Sequence, residues 1–412
     1  LTTTFGAVFG TMSRISHTAL LLATVFLVEA SAIEIVGYVP DYRFNGIDWN
    51  KVVSQTTHIV LFSLEPRVDG LRNLDAIRNV LRPQSALSVA LERAGSSAPK
   101  LLVSVGGAGR SQEYPEVLVN KKSRKRLAKQ LMSLLQEMPQ LAGIDFDLQV
   151  QNPDYLSLAK LVMMLRTAMG SRGGQKPIMT TTFHATASIL NSFAQLTLKP
   201  QDSSEIRFVD LFDMCHAMTY TMMDGQGRHA SEKTDADVVQ AWLKFAMPLS
   251  RLTLGIPFFA VKNGVPPITF SELVSKDRSI ASSGRERTED GFYFVNGASA
   301  VKKVKFAEDQ GIAGLMIWEL GQDVFEDNIS LLRQIWIAAK DKGIIYQLLG
   351  ITPKEEHVFS VLTALMGGYY FVRVMQLAMK PSPQPRRSYP KAEAKEEKEE
   401  EDVKEEKAEK DS

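Results

Sequence analysis

The sequence predicts an α/β fold, a (β/α)8 TIM barrel, on three observations. Short apolar runs recur eight times between residues 35 and 318. Helical patterns alternate with several of them, as parallel βα units require. The 412 residues also suffice for one such barrel, typically about 250 residues, with further segments.

The elements follow in order. Residues 35–40 form an apolar run stopped by Pro40, the first strand. Residues 58–64 are the second, and 101–105 the third, running into Gly106 and Gly107. A helix is expected over 117–138, where Leu127, Leu131, Leu134 and Leu135 recur at helical spacing. The fourth strand is 141–150, followed by a helix over 155–169. The β-branched stretch 178–183 is the fifth strand and 211–220 carries the sixth. A helix over 237–247, strands at 252–258 and 313–318, and a helix over 329–339 complete the count. Only about fifty residues separate the last two strands. They include the run Thr269 to Leu273 and a strand-like stretch at 291–295. That is too short for a full α+β insertion domain, so the barrel is expected to lack one and its cleft to be shallow.

The barrel is assigned residues 33–345. Residues 12–32 read as a signal peptide: Met12 and Arg14, an apolar run at 19–28, then Ala30-Ser31-Ala32. Residues 357–379 read as a transmembrane helix. Their uncharged part closes on Tyr369, Tyr370 and Phe371, Arg373 is within snorkelling reach, and Lys380, Arg386 and Arg387 form a positive flank. The expected topology is a secreted, single-pass type I membrane protein with the barrel lumenal or extracellular. Residues 380–412 are a Pro-rich linker and a Glu/Lys-rich disordered tail. Asn328-Ile329-Ser330 is a glycosylation sequon. Cys215 is the single cysteine, so no intramolecular disulfide is possible. A formal net charge of +1 gives no bulk case for nucleic acid, and the basic cluster at 121–126 reads as a solvated helix face.

The chemical signal is concentrated at 141–150, LAGIDFDLQV. Ile144, Phe146 and Leu148 alternate with Asp145, Asp147 and Gln149, so the polar three share one face. Acids on the inner face of a buried strand cost free energy unless they are hydrogen-bonded or working. The C-terminal ends of barrel strands are where such folds place their active sites.

This stretch resembles the D-G-x-D-x-D-W-E signature of family 18 glycoside hydrolases, the chitinases and their relatives. Gly143, Asp145 and Asp147 match it, while Ala142, Leu148 and Gln149 stand in place of Asp, Trp and Glu. Ser104-Val105-Gly106-Gly107 is similar to the family's S-x-G-G, and Met218-Thr219-Tyr220-Thr221 to its M-x-Y-D, with Thr221 in place of Asp. The segment 314–323, with Trp318, is similar to the last strand. The resemblance implies substrate-assisted chemistry, in which a sugar's acetamido carbonyl attacks its own anomeric carbon while an acid protonates the leaving oxygen. It gives Gln149 the acid's place, Asp147 the orienting role, Asp145 a supporting one, and Tyr220 a bond to the acetamido oxygen. It makes Trp318 the sugar platform, with Met218, Ser104, Gly106, Gly107 and Thr221 in the substrate-binding set. It implies an N-acetylglucosamine-containing glycan as partner, with neither metal nor cofactor.

An amide has no proton to give near neutral pH, and general acid catalysis is worth about 10²- to 10⁴-fold. The expected function is therefore a chitinase-like protein that binds such glycans without efficient hydrolysis. One alternative is an active glycosidase with another proton donor, Glu65 or Glu319. Another is a membrane-tethered structural or interaction protein, with Asp145 and Asp147 merely buried and bonded to Ser104 or Tyr220, and Trp318 in the core. His184 and His216 lie at or near strand ends without zinc-ligand spacing and read as structural.

Overall fold

In the computed structural model, residues 33–150, 153–170, 176–199, 205–225 and 228–340 are described. The expected signal peptide at 12–32, the span at 357–379, the linker and tail at 380–412 and the end of the 33–345 barrel lie outside them. Among the described residues, no helix is long and apolar enough to cross a membrane.

Eight parallel strands close into a barrel: β1 Glu34–Pro40, β2 His58–Arg67, β3 Lys100–Gly106, β4 Leu141–Asp147, β5 Ile178–Phe183, β6 Met214–Ala217, β7 Leu252–Pro257 and β8 Gly314–Trp318. Each pairs with its sequence neighbours, and β8 returns to β1. The period of two sorts side chains into two cores. Val36, Tyr38, Val60, Phe62, Leu102, Met214 and Met316 fill the inside. Ile35, Ile59, Leu101, Val103, Ile144 and Phe146 face the surrounding helices. Asp145 and Asp147 are on the inside, as the alternation requires.

Register stacks the polar residues in layers. Ser104, Asp145 and Thr180 are level across β3, β4 and β5. Gly106, Asp147, Thr182 and His216 form the next layer up. At Gly143, the third residue of β4, β5 comes close: a Cβ would overlap the Ile178 carbonyl.

Several boundaries differ from the sequence reading. The helix expected over 117–138 is two, Tyr114–Val119 and Lys121–Glu137. Asn120 divides them, its side chain accepting from the Lys122 and Ser123 amides, which is what a helix N-cap does. The helix expected at 237 starts earlier, at Glu232, capped by Ser231. The sixth strand is shorter than expected, because short 3₁₀ turns flank it at Phe208–Leu211 and Thr219–Thr221. The stretch 291–295 is no strand; Tyr293 makes only isolated pairings with Val261 and Arg287. After β7, a hairpin of Phe259–Lys262 and Val265–Thr269 and a helix, Phe270–Lys276, stand where a full insertion domain would be.

The close approach at Gly143 gives a direct test. Gly143→Ala is expected to cost about 1–3 kcal/mol by overpacking, read as a lower midpoint in urea unfolding. An unchanged midpoint would mean that β4 and β5 are not this close.

Candidate active site

Two carboxyl groups lie inside β4 with different company. Asp145 is fully buried. Its Oδ1 accepts from Thr180 Oγ1 at 2.8 Å and Thr182 Oγ1 at 3.1 Å, and its Oδ2 from Ser104 Oγ at 2.9 Å. The Tyr38 hydroxyl lies 2.6 Å from Thr182 Oγ1 and extends the cage. Asp147, 1 % exposed, has far less. Its Oδ2 accepts from Gln149 Nε2 at 2.9 Å, and its Oδ1 meets no protein donor. Burial raises both groups, and the hydroxyl donors oppose this at Asp145. At Asp147 the charge of Asp145 adds to the burial, and the carboxyl is pushed well above the usual carboxylate range.

Above Asp147 opens a cavity of about 290 Å³. Asp147, Gln149, Tyr220, Trp318, Phe259 and Met218 are among its walls, with Tyr38, Thr182, Thr221, Ala108 and Met316. Among the described residues, Asp147 is the one acid that lines it, and no lysine or arginine does. Gln149 lies two residues beyond the end of β4 and is half-buried. Its amide nitrogen also lies 3.5 Å from Met218 Sδ. Trp318 is half-buried, with its ring edge-on to Phe62 at 4.9 Å and tilted against Tyr38 at 5.8 Å. Tyr220 packs edge-on to Phe259 at 5.8 Å. Thr221 donates to the Met218 carbonyl at 2.8 Å and lies 3.3 Å from His184 Nδ1. Non-prolyl cis peptide bonds join Phe62 to Ser63 and Trp318 to Glu319.

Among models of protein families, that of glycosyl hydrolases family 18 matches residues 34–323. The chain belongs to this family. No curated protein matches it in sequence. Solved structures of family 18 enzymes share its fold. A chitinase from the chitin utilization locus of Flavobacterium johnsoniae is 21 % identical, with a TM-score of 0.59, covering 75 % of this chain and 94 % of that one. A Cycas revoluta chitinase in complex with (GlcNAc)3 is 20 % identical, with a TM-score of 0.59, covering 74 % and 99 %. A glutamate-to-glutamine mutant of the class V chitinase from Nicotiana tobaccum, in complex with NAG4, is 15 % identical, with a TM-score of 0.58, covering 75 % and 99 %. At these identities the likeness is one of fold.

Within this family 18 barrel, the residues singled out in the sequence divide by place. Gln149, Asp147, Tyr220, Trp318, Met218 and Thr221 meet at one cavity. Ser104, Gly106 and Gly107 are not among the residues that line it. Ser104 holds Asp145 from below. Gly107, at φ +95°, donates its amide to the Asp147 carbonyl at 2.7 Å, and a Cβ there would enter the Phe62 ring. The two alternative acids are elsewhere. Glu319 turns away from Trp318, fully buried, with Arg43 Nε at 3.0 Å from Oε1 and the Gly321 amide donating to Oε2 at 2.8 Å. Glu65 pairs with Arg67 at 2.8 Å. His216 is inside the barrel, 2.7 Å from Thr253 Oγ1, and burial pushes it down to about 3.

Sequence reasoning missed Tyr38, Thr182 and Phe259 as parts of the cavity, and Thr180 as part of the Asp145 cage. A signal for the threonines was present: Thr180 and Thr182 alternate along β5 as the two acids do along β4. Phe259 had none, since it enters through the hairpin after β7.

Asp147 carries a pH prediction. Its folded pKa is raised above the unfolded value, so the native state favours the protonated form. The stability tied to that proton is present below the ordinary carboxylate value of about 4 and is lost as pH rises toward the folded value. Asp147→Asn removes this loss. The variant should gain stability on the wild type as pH rises above about 4 in denaturant titrations. A difference that does not vary with pH would contradict the assignment.

Proposed function

We propose that this protein binds N-acetylglucosamine-containing glycans in the Trp318 cavity without hydrolysing them efficiently. The observation that carries the reading is the position of Gln149. Its amide nitrogen donates to Asp147 at 2.9 Å, and it occupies the place of the family's acid. An amide can hold that hydrogen bond and cannot pass a proton to a leaving oxygen. Among the described residues, Asp147 is the one acid at the cavity, and Glu65 and Glu319 are committed to arginines elsewhere.

The remaining walls suit a sugar. Trp318 offers an aromatic face to a pyranose ring, and Tyr220 and Asp147 offer polar groups to an acetamido substituent. Asp147 Oδ1, buried and without a protein partner, is a group that a ligand would complete. A glutamate-to-glutamine mutant of the Nicotiana tobaccum class V chitinase was solved with NAG4, which supports glycan binding by a barrel of this fold. The secretory, single-pass arrangement drawn from residues 12–32 and 357–379 belongs to the same proposal. It would present the cavity to lumenal or extracellular glycans.

Three measurements test it. Gln149→Glu, alone or with Thr221→Asp, is expected to raise hydrolysis of a chromogenic chito-oligosaccharide by about 10²- to 10⁴-fold over wild type. Turnover by the wild type at the level of the restored variant would refute the proposal. Trp318→Ala should weaken chito-oligosaccharide binding by about tenfold, the scale of one aromatic contact, while the urea midpoint of the fold shifts little. Equal affinity would remove Trp318 from the site. Asn328 is exposed, so expression in a secretory cell should add a glycan that glycosidase treatment removes. An unmodified Asn328 would count against the lumenal placement.

A further inference from the structure

A second cavity, of about 300 Å³, lies behind the wall of the first. His229 and Arg228 from the loop after β6, Lys233 from the helix Glu232–Lys244, Tyr293, and Ser299 and Lys303 from the helix Gly297–Gln310 are among its members. The two cavities share a partition. Phe259 lines the first, and the His229 ring lies 5.4 Å from it.

Two of the lining polar side chains are more than nine-tenths buried, His229 at 5 % exposure and Lys303 at 6 %. Lys303 Nζ lies 2.7 Å from Asp235 Oδ2. One carboxylate oxygen cannot occupy all three ammonium protons, and Nζ meets no further hydrogen-bonding partner in the protein. Neither ring nitrogen of His229 makes a well-formed hydrogen bond. Burial first, then the charge of Lys303, pushes its pKa down to about 4, while the nearby carbonyls of Tyr293 and Tyr220 pull the other way. The ring is therefore neutral near pH 7. A neutral imidazole donates once and accepts once. Both nearby backbone groups are acceptors, so the second ring nitrogen is left needing a donor.

These vacant positions specify what would fit. Lys303 requires an acceptor and His229 a donor. A carboxylate or a phosphate monoester dianion supplies acceptors alone. A hydroxyl group supplies both, and neighbouring hydroxyls on one ring can meet both residues together. We propose that this cavity is a second binding site, for a neutral polyhydroxy ligand such as a sugar ring, held by Lys303 and His229. It does not depend on the first cavity binding a glycan. It does have a route to that cavity. His229 touches Phe259, which lines the first cavity.

The test uses the full chain with isotope-labelled histidine, titrated with glucose and followed by the His229 ring resonances. Glucose lacks the acetamido group and so separates this site from the Trp318 cavity. The expected result is a saturable shift of the His229 signals, in the wild type and equally in Trp318→Ala. The double variant Lys303→Met/Asp235→Asn removes the buried pair as a unit, and should weaken glucose binding by about tenfold, the scale of one lost hydrogen bond. His229→Phe is the second variant, read by loss of saturation transfer from protein to glucose. No saturable shift with glucose, or a shift produced by inorganic phosphate and not by glucose, overturns the proposal.

Discussion

Two carboxyl groups share the inside of one strand with no cation beside them, and much of the site follows from that constraint. A buried carboxylate is costly unless donors surround it. Asp145 obtains them from hydroxyl groups on the neighbouring strands, Ser104, Thr180 and Thr182, and Tyr38 backs Thr182. The strand register makes this cage possible, because it sets Ser104 and Thr180 level with Asp145. Asp147, one layer higher, has only the Gln149 amide. Further carboxyls at positions 149 and 221 would add like charge to an already strained pair. Glutamine at 149 and threonine at 221 add no such charge, and the Gln149 amide donates to Asp147 instead.

The rim shows how the platform is fixed. Glu319 follows Trp318 directly and is fully buried, and it is balanced by Arg43 from the turn after β1. Arg110 pairs with Asp41 of the same turn at 2.8 Å and donates to the Ser63 carbonyl at 2.7 Å. The ends of β1, β2 and β8 are thereby tied together around the tryptophan. The half-buried ring packs against Phe62 and Tyr38, which leaves it little side-chain freedom.

Much of this was legible in the sequence, and for physical reasons. Strands such as 178–183 and the inward face of Asp145 and Asp147 follow from a period of two, which the chain cannot evade without turning its core outward. The meeting of Gln149, Tyr220 and Trp318 followed from motif resemblance, since nothing in local sequence brings β4, β6 and β8 together. Other features depended on distant partners. Ser104, Gly106 and Gly107 are adjacent to the signature in space, and only three-dimensional placement shows Ser104 donating to Asp145 and the Gly107 amide to the Asp147 carbonyl. The break at Asn120 is a capping choice that helical periodicity on either side conceals. Phe259 and His229 enter from loops whose paths no pattern fixes.

The most direct test of the central claim is a crystal structure of the full chain soaked with chitotetraose. An intact oligosaccharide, with one ring on Trp318 and its acetamido group between Tyr220 and Asp147, is the predicted result. Cleaved sugar in the cavity, or a cavity left empty at saturating ligand, would contradict the account.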